Sequence, residues 1–271
     1  MNYRHAFHAG NFADCVKHAL LVWIVRALAR KTTPFRVLDT HAGRGGYDLL
    51  AEAERTGEWR DGIARILGNT PPPLADYAGL VEQLGLYPGS PLLVRALLRD
   101  GDRLACCELH RDDAAALRHR FARDPQVAVH HRDGYEAVRA LLPPPERRGL
   151  VLLDPPFEQD AEWDRLLDAL RDGVRRFAGG VYTAWYPIKG RAATRAFHER
   201  VRDAGLRDAV AAELWLREPV DAARLNGCGL LVRNPPYGFE ADWPGLLAAL
   251  LERLGQGEVG QGTRLVRIAD E

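Results

Sequence analysis

Asp154-Pro155-Pro156-Phe157 closes an apolar run, Gly149-Leu150-Val151-Leu152-Leu153, that reads as a fully buried strand because it lacks the alternation of a half-exposed one. Two consecutive prolines remove two backbone donors and fix φ twice, so the chain cannot continue as a central strand and must bend at the edge of a sheet. The bend leaves acceptors free. The Asp154 carboxylate and the Pro155 carbonyl can together receive both hydrogens of one planar amine, and Phe157 can lie against the ring that bears it. An exocyclic nucleobase amine fits that description. A second tetrapeptide of the same pattern, Asn234-Pro235-Pro236-Tyr237, follows Gly229-Leu230-Leu231-Val232, so context must separate the two.

The context is a succession of short apolar runs: 35–38, 104–107, 127–130, 150–153, 180–185, 211–216 and 229–232. Between them, segments such as 112–121, 135–142, 161–177 and 192–204 carry apolar residues at three- and four-residue spacing. Alternating strands and helices predict an α/β fold, an open and mostly parallel Rossmann-like sheet with its ligands at the carboxyl ends of the strands. Asp39 and Glu108, at the ends of the first two strands, lie 69 residues apart, whereas a plain βαβ unit takes about 30. The surplus predicts one domain over 1–271 with a small helical insertion at about 48–96, centred on Pro71-Pro72-Pro73 and returning through Tyr87-Pro88-Gly89-Ser90-Pro91.

The first strand runs into Asp39-Thr40-His41-Ala42-Gly43-Arg44-Gly45-Gly46, small residues that let the backbone approach a ligand closely. Gly43-Arg44-Gly45-Gly46-Tyr47-Asp48 lacks the last glycine or alanine of a dinucleotide fingerprint, which argues against NAD. Glu108 ends the second strand, where its carboxylate can accept both hydrogen bonds of a ribose diol. Asp133-Gly134 follows the third, with an acceptor for an adenine amine and, at the glycine, room for the ring. Glu108, Asp133 and Asp154 thus end three successive strands at intervals of 25 and 21 residues. This order favours Asp154 as the catalytic copy and predicts that Asn234 merely terminates an edge strand.

Lys plus Arg equals Asp plus Glu at 37 each, so only a local patch could serve a polyanion. One candidate is the first 36 residues, with six basic side chains, Lys17 among them, against the single acid Asp14. The four cysteines have no CxxC spacing, which makes a disulfide or zinc framework improbable. The apolar stretch 19–25 stops at Arg26, short of the roughly 20 residues of a membrane span, and no signal-peptide pattern precedes it. A reduced, cytoplasmic protein is expected.

With these residues placed, the chain resembles, nearly end to end, the 23S ribosomal RNA adenine N(6)-methyltransferases of the RlmJ (YhiR) type. The likeness is most specific in Tyr3-Arg4-His5-Ala6-Phe7-His8-Ala9-Gly10-Asn11, continued by Asp14 and Lys17-His18. It runs on through Leu38-Asp39-Thr40-His41-Ala42-Gly43, Glu54-Arg55-Thr56-Gly57-Glu58, Gly62-Ile63-Ala64-Arg65-Ile66, Tyr87 to Pro91, Arg147-Arg148-Gly149-Leu150 and Trp185-Tyr186-Pro187. The resemblance implies a class I S-adenosylmethionine-dependent fold, with the methyl donor held at His18, His41, Ser90, Glu108, Asp133 and Gly134. It places the catalytic acid at Asp154 and a substrate contact at Tyr3. The family commonly has Tyr where Phe157 stands; stacking needs only the ring, so the change removes no more than a phenol hydrogen bond.

The chemistry expected is in-line attack of an adenine amine on a sulfonium methyl. Both amine hydrogens are held, by Asp154 and by the carbonyl of Pro155, and no metal is required. A target base must leave its stack to reach such a site, with Tyr3, Phe157 and Trp185 as candidate platforms and Arg4 and Lys17 as phosphate contacts. The expected partner is 23S ribosomal RNA, approached by a monomer with no obligate protein partner. Three other readings share some of these features: a DNA adenine methyltransferase, a glutamine methyltransferase working through Asn234, and an inactive methyltransferase-like RNA-binding protein.

Overall fold

The computed structural model describes residues 7–50, 53–159 and 161–270. The strands are β1 (Arg36–Asp39), β2 (Gly46–Tyr47), β3 (Tyr87–Pro88), β4 (Arg103–Glu108) and β5 (Val127–His131), then β6 (Gly149–Leu153), β7 (Val181–Ile188), β8 (Ala209–Trp215), β9 (Gly227–Arg233) and β10 (Gly262–Ala269). The helices are α1 (Phe12–Ala29), α2 (Ile63–Leu67), α3 (Ala75–Leu84), α4 (Ser90–Leu97) and α5 (Arg111–Arg120), then α6 (Gly134–Leu141), α7 (Glu162–Arg176), α8 (Arg191–Asp203) and α9 (Phe239–Leu254).

Eight strands form one sheet in the order β10-β8-β9-β7-β6-β1-β4-β5. From β5 to β7 all neighbours are parallel, while β9 runs against both β7 and β8, and β10 runs against β8. After β1 the chain builds outward through β4 and β5, then returns to place β6 on the other side of β1. That reversal opens a crevice at the carboxyl ends of β1 and β6. The architecture is the class I S-adenosylmethionine-dependent methyltransferase fold.

Alternation along the buried strands makes two cores. Val37, Cys106, Leu150 and Leu152 pack on one face, with Leu20 and Ile24 of α1, Val94 of α4, Leu117 of α5 and Trp243 of α9. Leu38, Cys107, Val151 and Leu153 pack on the other, with Val138 of α6, Leu170 of α7 and Phe197 of α8. Burying each such Val or Leu stabilises the fold by about 1.5–3 kcal/mol before chain entropy is counted. Adjacent Cys106 and Cys107 therefore face opposite cores, and all four cysteines are free and buried.

The two tetrapeptides separate by strand direction. Asn234 follows β9, which lies between β7 and β8, so the expectation of an edge-strand terminator is wrong. Because β9 is antiparallel to β7, Asn234 emerges at the opposite end of the sheet from Asp154. There its amide donates to the carbonyls of Gly179 and Gly180 at 3.0 and 3.2 Å, tying down the turn before β7, and its backbone adopts a left-handed φ of 55°.

Helix α1 corrects a second expectation. Its N-cap, Asn11, accepts from Asp14 N–H at 3.0 Å, and 14 of its 18 residues are buried, so it is a core element rather than a basic patch for a polyanion. Its cations are already committed. Arg26 holds Asp76 through two N–H groups and Lys17 is buried, while beyond the helix Arg36, at the start of β1, likewise holds Glu146. Between β1 and β4 the chain forms the β2–β3 ribbon, short 3-10 turns and helices α2 to α4. Among the described residues no helix is long and apolar enough to cross a membrane.

Candidate active site

A cleft of about 900 Å³ opens at the carboxyl ends of β1, β4, β5, β6 and β7. The structure brings the described sequence-predicted residues together there. His18 and Lys17 come from α1, His41 from the β1 loop, Ser90 from the first turn of α4, and Glu108 from β4. Asp133 and Gly134 come from the start of α6, and Asp154, Pro155 and Phe157 from the bend after β6. Tyr3 and Arg4 lie outside the described residues.

Asp154 does not stand alone. Lys17 Nζ donates to Asp154 Oδ2 at 2.5 Å and to Asp14 Oδ1 at 2.9 Å, with only 6% of the lysine side chain exposed. Asp14 Oδ2 also accepts from Gly10 N–H at 3.0 Å. Burial by itself would lower the Lys17 pKa, but the carboxylates of Asp14 and Asp154 outweigh it and hold the ammonium well above its ordinary value. Lys17 is therefore not the phosphate contact expected from its charge; it is a buried counter-ion that fixes one oxygen of Asp154. Sequence reasoning passed over Asp14, whose signal was its three-residue spacing from Lys17 on one helix face.

Phe157 has φ 49°, a left-handed conformation that costs an aromatic residue on the order of 1–3 kcal/mol. Two edge-to-face contacts hold it there, with Trp163 at 4.8 Å and Trp185 at 5.8 Å between ring centroids. The strain turns the chain sharply after Pro156, and Phe157 and Trp185 both line the cleft.

At the other end of the cleft, Gly43 at φ 61° places its N–H against Glu108 Oε2 at 2.8 Å, while Glu108 Oε1 accepts from His110 N–H at 2.6 Å. Burial raises the Glu108 pKa against those two donors. Each oxygen keeps a second lone pair for a ligand hydroxyl. Asp133 Oδ1 caps α6 by accepting from the N–H groups of Tyr135 and Glu136, and its Oδ2 accepts from Arg165 at 2.7 Å. Arg165 in turn lies over the Tyr135 ring, whose hydroxyl donates to Glu162 at 2.6 Å; this cluster has no pattern visible in sequence.

Gly134 serves a different purpose from the one expected. A Cβ there would meet the Thr40 carbonyl oxygen at 2.1 Å, so the glycine permits α6 to abut the end of β1, and the space beside it belongs to backbone rather than to a ligand ring. His18 Nδ1 shares a hydrogen bond of 2.9 Å with the Tyr87 hydroxyl. His41 Nδ1 shares one of 2.7 Å with Thr40 Oγ1, and burial pushes its pKa down to about 4, so it is neutral at physiological pH.

Below the cleft floor, Asp39 is fully buried and neither carboxylate oxygen closes a hydrogen bond. Ser90 and the His41 N–H face it and lower its pKa, yet burial dominates and lifts it to about 7. The folded state therefore holds this proton more tightly than the unfolded chain does, and stability falls as pH rises from about 4 to about 7. Asp39→Asn is expected to flatten that segment of the stability curve and to stabilise the ligand-free protein at pH 8 by on the order of a few kcal/mol. Urea melts across the pH range check it. A variant with an unchanged slope would mean that Asp39 is charged throughout.

Nine carboxylates and five Lys or Arg side chains line the cleft, an acidic surround suited to a cationic ligand. Among the described residues no group of three or more His, Cys, Asp or Glu is placed to hold a metal ion.

Residues 32–267 match the family model described as ribosomal RNA large subunit methyltransferase D, RlmJ. The chain belongs to this family. It is 39% identical to ribosomal RNA large subunit methyltransferase J of Escherichia coli strain K12 and 38% identical to that of Haemophilus influenzae, with 97% of each chain covered in both comparisons. A crystal structure of a Legionella pneumophila protein superposes with a TM-score of 0.88 at 34% identity, covering 96% of this chain and 98% of that one.

Proposed function

We propose that this protein transfers a methyl group from S-adenosylmethionine to the N(6) amine of an adenine in 23S ribosomal RNA, as a cytoplasmic monomer with its helical insertion at about 48–96 roofing the donor site. One observation carries the reading: Asp154-Pro155-Pro156-Phe157 ends β6 at the switch point and lines the cleft, in a chain of a ribosomal RNA methyltransferase family.

The residues present fit the donor. Its net positive charge suits the acidic lining and the orphaned carboxylate of Asp39 beneath it. Glu108 would hold a ribose diol, Asp133 would use the remaining lone pair of its Oδ2 toward adenine, and His18, His41 and Ser90 would complete the walls. When bound, the donor supplies an electrophilic methyl carbon. The chain's part is orientation. Asp154 Oδ1, the oxygen that Lys17 leaves free, and the Pro155 carbonyl would accept the two amine hydrogens, turning the nitrogen lone pair out of the purine ring and toward the methyl. Phe157 and Trp185 would hold the extruded base, and Asp154 would receive the proton released on transfer.

Incubating deproteinised ribosomal RNA with isotopically labelled donor, then analysing the nucleosides by mass spectrometry, tests the whole reading. N(6)-methyladenosine is expected. Label in DNA in a mixed competition, or in a protein glutamine, would overturn it. A second expectation concerns the donor alone. Glu108→Ala removes a charge-assisted contact of roughly 1.5–3 kcal/mol, so the dissociation constant measured by calorimetry should rise about tenfold or more; an unchanged constant on folded protein removes Glu108 from the site.

A further inference from the structure

The acidic cleft that receives the base is a poor place for the phosphates that carry it. A second cavity, of about 220 Å³, lies between α8 and β10. It shares strand ends with the cleft but not a face of the sheet. Pro187 and Lys189 line the cleft and Ile188 the second cavity; Leu216 lines the cleft and Trp215 the second cavity.

Arg191, Arg195, Arg202, Arg264 and Arg267 line this cavity, with Glu199 and Glu213 as the acids. Residues 191, 195 and 202 recur at helical spacing on one face of α8. Several of these guanidiniums are hydrogen-bonded through one edge only, and that of Arg191 also lies over the Trp215 ring at 5.3 Å. Arg264 donates through Nε and Nη2 to Glu213, itself 2% exposed, at 3.0 and 2.8 Å. Arg191 uses the same two groups on Glu218 at 2.9 and 3.1 Å, and Arg202 uses Nε alone on the Ile268 carbonyl at 3.1 Å. Their remaining N–H groups, and all those of Arg195, make no hydrogen bond to the described residues. Arg267 is the exception, spent on Glu240 and Asp208. Arginines that line one cavity and keep N–H groups in reserve suit the tetrahedral oxygens of a phosphodiester.

We propose that the α8–β10 cavity is a phosphate site for the substrate RNA, anchoring the strand on one face of the sheet while the target adenine enters the cleft around the sheet's carboxyl edge. The proposal rests on the RNA-methylation reading above. Its test is Arg195→Glu in the full chain, with Arg123→Glu, an equal charge change outside both cavities, as the control. Arg264 is left in place because its loss would take from the buried Glu213 the guanidinium that holds its Oε2. Binding of a labelled 23S ribosomal RNA fragment is followed by anisotropy between about 50 and 200 mM salt, alongside turnover. Arg195→Glu should weaken RNA binding about tenfold relative to Arg123→Glu and reduce the salt slope by about one. The KM for RNA should rise with it, while the donor dissociation constant stays unchanged. Arg195→Ala, with an expected loss of about threefold, carries the test should the reversal prevent folding. Equal affinities and slopes for the Arg195 and Arg123 variants, with RNA methylation intact in the parent, overturn this site alone; a parent that methylates no RNA overturns the functional reading beneath it.

Discussion

Asp154→Ala is expected to reduce methyl transfer about a hundredfold or more while donor affinity is retained, because the side chain faces the amine and not the sulfonium. The bend survives the change, since Pro155 and Pro156 and the Phe157 contacts with Trp163 and Trp185 remain. Turnover and calorimetry on the same preparation should therefore diverge. Asn234→Ala provides the comparison. It deletes two hydrogen bonds to the turn before β7 and puts Ala at a left-handed φ, so it should cost about 2–4 kcal/mol of stability and leave transfer by the folded protein unchanged. Near-parental turnover in Asp154→Ala, or loss of turnover in folded Asn234→Ala, would reverse the assignment of the two motifs.

Lys17→Ala should destabilise the protein by about 3–5 kcal/mol, because it removes the buried ammonium that the carboxylates of Asp14, 3% exposed, and Asp154 share. For a chain of this size that corresponds to a fall in Tm of roughly 10 °C. The sign with pH is fixed by the raised lysine pKa. The lysine's contribution is complete below its unfolded value of 10.5 and is lost as pH rises through the higher folded value, so on the alkaline side parent and variant should converge only in strong alkali. The salt dependence of RNA binding should not change, since a buried, doubly paired ammonium neutralises no phosphate. A variant as stable as the parent, with a shallower salt slope, would restore Lys17 to the RNA surface.

Much of the fold was legible because its signals are local. The unbroken apolar runs of β4 and β6, the two prolines after Leu153 and the acids at the strand tips each follow from hydrophobic burial or backbone sterics within a few residues. Strand β10 was missed because it lies at the sheet edge and is only partly buried, so its pattern never becomes an apolar run. The family motifs pointed to His18 and Ser90, which line the cleft and which no spacing argument picks out.

Direction, depth and partnership were decided by tertiary structure. Nothing within Asn234-Pro235-Pro236-Tyr237 records that β9 is inserted antiparallel between β7 and β8, and it is this reversal that removes the motif from the cleft. The charge of Lys17 is visible in sequence, but its burial between Asp14 and an acid 137 residues away is not, and that distant pairing turns an apparent phosphate contact into a structural counter-ion. Gly134 shows the same division: sequence marks a place that admits no Cβ, and only the packing of α6 on Thr40 shows what fills the space. Local chemistry thus determined which residues could act, whereas long-range strand order and close packing determined which of them face one another.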